Sequence, residues 1–409
     1  MGGESGGALR VPAFRLYFVG RSVSSLGDRI APLSLAFAVL AISGSPSALG
    51  IVLAAGTIPK LLLVLVGGVV GDRFERRKVL VSTDLTMGLA QAVSAALLLT
   101  GNALVWQLAV LQAVYGSASA FYSPTSTGAV RDLVGPEALQ QANSLLGLTR
   151  SAAGIVGPAV AGILVAAAAP GWAIAFDAVT FLVSALALSA IALPMGRASL
   201  GNSIRADLVD GWREFVARNW VWVMVLSFTV YQATVLPAVG VVGPVVAEAA
   251  LGGAGAWAAV LVGRSCGSLL AGGVLLRWTP QRTGIAMQLL MLLDLPFLLG
   301  LATGAPLWFV VVSGAFAGGG LTAGDTLWST ALQQHVPDQA LARVSSYDWM
   351  GSLAMAPVGY ALVGGAAKTY GTSSTLYVIA ALHVISTGLP LLLPSLRSLR
   401  SNPARPEPG

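Results

Sequence analysis

The chain is 409 residues long, 56% apolar and only 10% charged, with a formal net charge of +6. Soluble domains carry about 25% charged residues, so this deficit over such a length excludes an ordinary soluble core. A bilayer-spanning helix takes about 20 mainly apolar residues, and about twelve such helices fit here with room for short loops and one longer connector.

Hydrophobic runs predict helices over 14–41, 48–70, 79–100, 104–126, 143–168 and 171–194, then over 220–246, 254–277, 284–302, 306–328, 343–366 and 373–396. This divides the chain into an N-terminal six-helix half at 1–195, a connector at 196–219, and a second half with its tail at 220–409. The fold class expected is therefore an all-α integral membrane bundle. Most of the 23 Lys and Arg fall in the tails or in loops of one side, Arg73, Arg77, Arg131, Arg213 and Arg282 among them. Positive charge collects in cytoplasmic loops, so both termini are expected inside, and the basic balance marks topology and not a nucleic-acid footprint.

The first helix carries Arg21, Asp28 and Arg29, charges that separate it from a cleavable signal peptide. Charges within a membrane helix are costly and usually face a partner, a cavity or a substrate path. Asp28 lies midway along its helix, with Arg21 on the same face and Arg29 adjacent. Desolvation and a nearby cation pull such a carboxylate in opposite directions, which suits it to load and release a proton. Asp28 is the expected coupling acid, and the alternative is a permanent ion pair that only fixes packing. Lys60, Arg150 and Arg264 are further intramembrane cations that acids could pair with, and Asp177, Asp294, Asp325 and Asp348 are further acids in predicted spans.

Between the second and third helices run Gly68, Gly71, Asp72, Arg73, Glu75, Arg76, Arg77 and Lys78. Glycines allow close helix approach, and Asp72 with the cations can form charge-assisted bonds to neighbouring helix ends. Asp84, early in the third helix, is a candidate internal partner for these cations. The fifth helix presents Gly147, Ser151, Gly154, Gly157, Pro158, Ala161 and Gly162 at spacings that share one face, a small-residue stripe for close backbone packing.

In the connector, Ile204, Leu208, Trp212, Phe215 and Val216 have the spacing of an amphipathic helix lying along the cytoplasmic face and tethering the halves. A faint internal repeat supports the two halves: Val134, Ala138, Leu139, Ser144 and Gly157 recur at one offset, half a chain later, as Val336, Ala340, Leu341, Ser346 and Gly359.

The loop segment resembles the signature of the major facilitator superfamily, whose fold is two parallel six-helix repeats. The resemblance implies a latch role for Asp72, Arg73 and Arg77; Glu75 stands where that family usually has glycine. The stretch from Phe14 to Asp28, the run Ser45, Pro46, Leu49 and Gly50, and the connector's Gly211, Trp212 and Arg213 look like the macrolide-efflux and enterobactin-exporter branch. Gly154, Gly157, Pro158 and Gly162 resemble the antiporter motif of that superfamily's drug exporters. The same architecture would line a substrate cavity with the first, fourth, seventh and tenth helices, where Tyr115, Phe121, Tyr122, Tyr231, Gln232 and Trp328 are the aromatic and amide candidates.

The expected function is thus proton-coupled export of hydrophobic or amphipathic small molecules, with a solute importer or uniporter of the same fold, or a non-transporting sensor, as alternatives. The single Cys266 permits no disulfide or thiolate cluster, and His335 and His383 are the only histidines, so no metal or other cofactor and no catalytic constellation is expected. No phosphate-binding loop for nucleotide occurs. A monomer in a bacterial inner membrane, without nucleic-acid partners, completes the expectation.

Overall fold

The computed structural model describes residues 7–192 and 212–399. Most of the expected connector, 196–211, lies outside them. Among the described residues the chain is helical with no strands, and eleven helices are long and apolar enough to cross a membrane.

Local chemistry sets the helix ends. Helix α1 (Pro12–Ser43) begins with proline at its first position and stops at Gly44, whose φ of 59° closes a left-handed cap. Ser45 then caps α2 (Pro46–Arg73), its hydroxyl accepting from the Ala48 amide at 3.4 Å. Helix α3 is Arg76–Leu99. A hydrogen-bonded run from Val105 to Ala167 follows, broken into two helices at Gly135 with φ 69° and ψ 178°. Its parts are α4 (105–134) and α5 (Glu137–Ala167), and α6 (Pro170–Ser189) closes the first set. Helix α4 is not among the eleven apolar spans. It is interrupted by Gln107, Gln112, Tyr115, Ser117, Ser119 and Tyr122, and this polarity is what the site below uses.

The second set is α7 (Asn219–Leu251), α8 (Ala254–Leu275), α9 (Thr283–Thr303), α10 (Leu307–His335), α11 in two pieces (Asp338–Leu353 and Ala356–Tyr370) and α12 (Thr372–Leu392). Prolines explain the irregular turns. Pro237 precedes the wide turn Ala238–Val242 of α7. Pro296, lacking an amide and crowding the Leu292 carbonyl, accompanies the break of α9 at 292–293. Pro357 opens the second piece of α11.

The expected gap at 127–142 is a correction. The chain is helical there on both sides of the break at Gly135, because Arg131, Asp132 and Glu137 end the hydropathy signal without ending their helices. Likewise α10 runs on to His335, and helix resumes at Asp338, five residues before the predicted start.

The chain clusters into two compact units, Met1–Leu200 with Gly252–Ala259, and Gly201–Leu251 with Val260–Gly409. In the first, Phe14, Tyr17, Leu80, Met87 and Phe181 form the buried core. Helices α2 and α4 approach so closely that a Cβ on Gly116 would overlap the Gly56 carbonyl; in the second unit a Cβ on Gly267 would overlap that of Ala315. Large apolar side chains such as Leu62, Ile163, Leu186 and Leu270 stand exposed on each unit's exterior. Such faces fit hydrocarbon and would be a liability in water. The chain is a multi-pass membrane protein.

The described end of the connector packs within the second unit. Phe215 is buried, and the Trp212 and Phe215 rings meet Tyr347 at 5.6 and 5.8 Å.

Candidate functional site

In the first unit the geometry centres on Asp28. Its Oδ2 accepts from the Arg21 guanidinium at 3.2 Å, and its Oδ1 from the Tyr115 hydroxyl of α4 at 3.3 Å. Arg21 also lies over the Tyr122 ring, 5.1 Å from its centroid. The seven-residue spacing of Arg21 and Asp28 is two helical turns, so the pair shares a face of α1. The carboxylate side chain is 28% exposed, open enough for water to reach it. Tyr115 and Tyr122, expected on a cavity wall, both touch the charged pair. Phe121 is half-buried, its backbone against Gly67.

Two more acids stand near. Asp177 of α6 is fully buried, accepting from Gln91 Nε2 at 2.6 Å and the Thr180 hydroxyl at 3.4 Å. Helix α1 reaches it because residue 27 is glycine: a Cβ there would strike the Asp177 carboxylate. Asp84 corrects an expectation. It lies eight residues into α3, about 12 Å from the loop cations at that helix's start, and is 0% exposed. Neither oxygen makes a hydrogen bond of ordinary geometry, the Ser184 hydroxyl of α6 is its polar neighbour, and the charges that act on it are Arg21 and Asp28. Asp84 therefore belongs to the Asp28 cluster and not to the loop.

At the loop, Gly71 packs against Thr125, while a Cβ on Gly68 would meet nothing. Arg73 is exposed and Arg77 half-buried. Arg76 pairs with Asp132 of α4, and Lys78 reaches back to Glu75 at 2.9 Å. Glu75 is thus occupied by a neighbour in its own turn. The side chain of Asp72 lies outside what is described. On α5, Gly154, Gly157, Pro158 and Gly162 are all buried on one face, with Gly157 set against Arg29 of α1. Arg29, Lys60 and Arg150 are themselves exposed and meet no carboxylate among the described residues; depth in a helix does not by itself select a partner.

In the second unit Arg264 is the paired cation. It donates to Asp294 Oδ1 at 3.3 Å, and the Tyr231 hydroxyl donates to Oδ2 at 3.1 Å. Each unit thus holds one carboxylate between an arginine and a tyrosine. Tyr231 also lines a cavity of about 240 Å³ with Gln232, Asp325, Trp328, Asp348 and Ser352. Asp348 Oδ2 accepts from the Trp328 indole at 3.0 Å. Tyr231, Gln232 and Trp328 share the wall of this cavity with two carboxylates. Among the described residues no cluster of metal-ligating side chains occurs.

Two helical membrane units, each with a buried or half-buried charged pair and one with a polar-spotted cavity, are the arrangement of a multi-pass membrane protein with charges inside its spans. The chain matches the Major Facilitator Superfamily over residues 17–347 and belongs to that family. It is 28% identical to the enterobactin exporter EntS of Shigella boydii, over 96% of this chain and 94% of that protein. The MFS-type transporter YfiS of Bacillus subtilis is 28% identical over 41% of this chain and 39% of its own. Among solved structures, the nucleoside transporter NupG aligns with a TM-score of 0.73 at 11% identity, covering 93% of this chain and 98% of its own. A bacterial homologue of the iron transporter ferroportin aligns at 0.71 and 16%, covering 95% and 99%. At those identities the likeness is one of fold. The chain is a transporter of small molecules, and not an enzyme.

Proposed function

We propose that this transporter exports hydrophobic or amphipathic small molecules in exchange for protons, as a monomer in a bacterial inner membrane with both termini cytoplasmic. The observation that carries the coupling is Asp28. A carboxylate midway along a membrane helix, held by one arginine nitrogen and one phenol, has a counter-charge beside it and enough exposure for a proton to arrive. When a proton neutralises it, Arg21 loses its partner and can turn to Tyr122, over whose ring it already lies. That is a local two-state element of the kind alternating access needs. Similarity along nearly the whole length to an exporter, and a small-residue face on α5 resembling the antiporter motif, support the outward direction.

The cavity in the second unit supports the substrate class. Its indole and phenyl walls suit an apolar body, and Asp325 and Asp348 suit a positive group. Replacing Asp325 by Asn should slow efflux of the cationic dye ethidium about tenfold, the worth of one charge-assisted contact. Efflux of a neutral lipophilic dye should be nearly unchanged. Equal loss for both would make the carboxylate structural.

The direct test is energised efflux of a dye and antibiotic panel from a pump-deficient bacterium, with and without a protonophore. Export that the protonophore abolishes supports the reading; uptake of a solute down its gradient instead would favour an importer or uniporter.

A further inference from the structure

The second unit carries on its exterior a groove of about 520 Å³ between α8, α9 and α10 that the exchange of protons for substrate leaves unused. Small residues cut it. A Cβ on Gly263 would stand 2.9 Å from the Val311 carbonyl, and one on Gly267 would overlap that of Ala315. Helices α8 and α10 therefore run parallel, turn for turn, with backbone against backbone. On the other side Gly320 meets the Leu290 carbonyl, and Gly324, one turn on, meets Met287, so α9 runs opposite to α10. The floor holds nothing larger than a methyl group, and the walls are the exposed side chains of Leu270, Val274, Val312 and Phe316.

The chemistry of the lining narrows the occupant. Of the side chains around the groove only the Trp278 indole has a polar atom. A small-molecule site orients its ligand with a few placed polar groups, which this groove lacks. A hydrocarbon chain needs none. The length agrees: from Val311 to Ala323 the groove follows α10 for about 18 Å, close to one leaflet of a hydrocarbon core about 30 Å thick.

One end is marked by charge. The Trp278 amide donates to the Val274 carbonyl at 2.9 Å, which continues the last turn of α8 and sets the indole at the mouth of the groove. Amphipathic rings of this kind sit at headgroup level. Arg277 precedes it in the chain. Arg282 holds the N-terminal cap position of α9, about 12 Å along that helix from Leu290 and toward the same end. Both arginines are exposed and meet no carboxylate among the described residues, and 276–283 contains no acid.

We propose that the groove holds one acyl chain of an anionic phospholipid, drawn from the leaflet on that side, with its phosphate at Arg277 and Arg282. The arginine fork suits a phosphate, and anionic lipids draw clustered cations at a membrane surface. A zwitterionic lipid offers the same chain and phosphate but brings its own cation toward the arginines, so headgroup charge sets the preference. The site stands independently of what the transporter carries and of its direction.

Bromine on an acyl chain quenches only nearby indoles. The chain has ten tryptophans, so the Trp278 signal is read as the fluorescence lost on Trp278→Phe. Full-length protein in phosphatidylcholine nanodiscs should reach half-maximal quenching of that signal with chain-brominated phosphatidylglycerol at about a tenfold lower mole fraction than with chain-brominated phosphatidylcholine. Arg277→Ala with Arg282→Ala should remove the preference. Arg10→Ala with Arg15→Ala, the same loss of charge elsewhere, should keep it. Ala271→Phe, which fills the floor and leaves both arginines, should also remove it. Equal quenching by the two lipids in the unaltered protein overturns the proposal and leaves the groove to ordinary boundary lipid, a substrate or a second copy of the chain. So does a preference that outlives the paired arginine change, which alters only exposed residues and decides the matter even if Ala271→Phe does not fold. A preference that survives Ala271→Phe in folded protein overturns it too, because the headgroup would then be held at the loop without the groove.

Discussion

Asp28→Asn should reach the membrane at normal levels, exchange substrate down its gradient and fail to accumulate it uphill. Amide and carboxylate have nearly the same shape, so Tyr115 and Arg21 keep a neighbour, and Arg21 keeps the Tyr122 face. What disappears is the negative charge and with it the capacity to exchange a proton. Coupling is a difference between two charge states of one group, and a residue frozen in one of them transmits nothing. The ratio of outside to inside substrate at steady state should fall at least about tenfold, equivalent to about 1.4 kcal/mol of lost driving force. Counterflow of labelled against unlabelled substrate in proteoliposomes should stay within a few-fold of wild type. A variant that still pumps uphill would leave Asp28 a packing residue, paired with Arg21 for structure alone.

Gly116→Val should be among the most damaging single changes to stability outside the charged sites, as should a bulky residue at Gly267. Overfilled cores usually relieve strain by moving a side chain to another rotamer, at about 1–3 kcal/mol. Here the obstacle is the Gly56 carbonyl, a backbone atom fixed inside α2, so the two helices themselves must separate. A cost of about 3 kcal/mol or more follows, at the upper end of that range. Tyr115 precedes Gly116 on α4, so separation would also lift its hydroxyl from Asp28. Thermal unfolding followed by size-exclusion chromatography should show a large drop or loss of the monodisperse peak. Gly273→Ala, where a Cβ meets nothing, is the control and should behave as wild type. A Gly116→Val protein as stable as that control would mean the α2–α4 contact is looser than described.

The sequence alone carried the fold further than the site. Apolar runs, loop charge and the repeated Val336 segment suffice to foresee two sets of spanning helices, because period and composition are local properties. The helices that outrun the bilayer, 127–142 and 338–342, were hidden because amphipathic polar helix and loop look alike to hydropathy. At the site, Asp28 and Arg21 were legible from their spacing on one helix. Arg264 was legible as a costly charge, but its partner Asp294 lies on another helix, and nothing local links them. Asp84 misled for the same reason: an acid two turns into a helix is solvated or buried according to what packs there, and here that is α1 and α6. The groove beside Trp278 gave only the faint signal of small residues on α8 and α10; their register against each other exists only in three dimensions.

The central claim is exchange of protons for a small molecule through this one chain. Purified protein in liposomes containing a pH-sensitive dye tests it with nothing else present. Adding an exported compound to one side should move protons toward that side, at a rate that saturates with the compound and vanishes in Asp28→Asn. Substrate flux with no accompanying proton movement in the wild-type protein would contradict the claim.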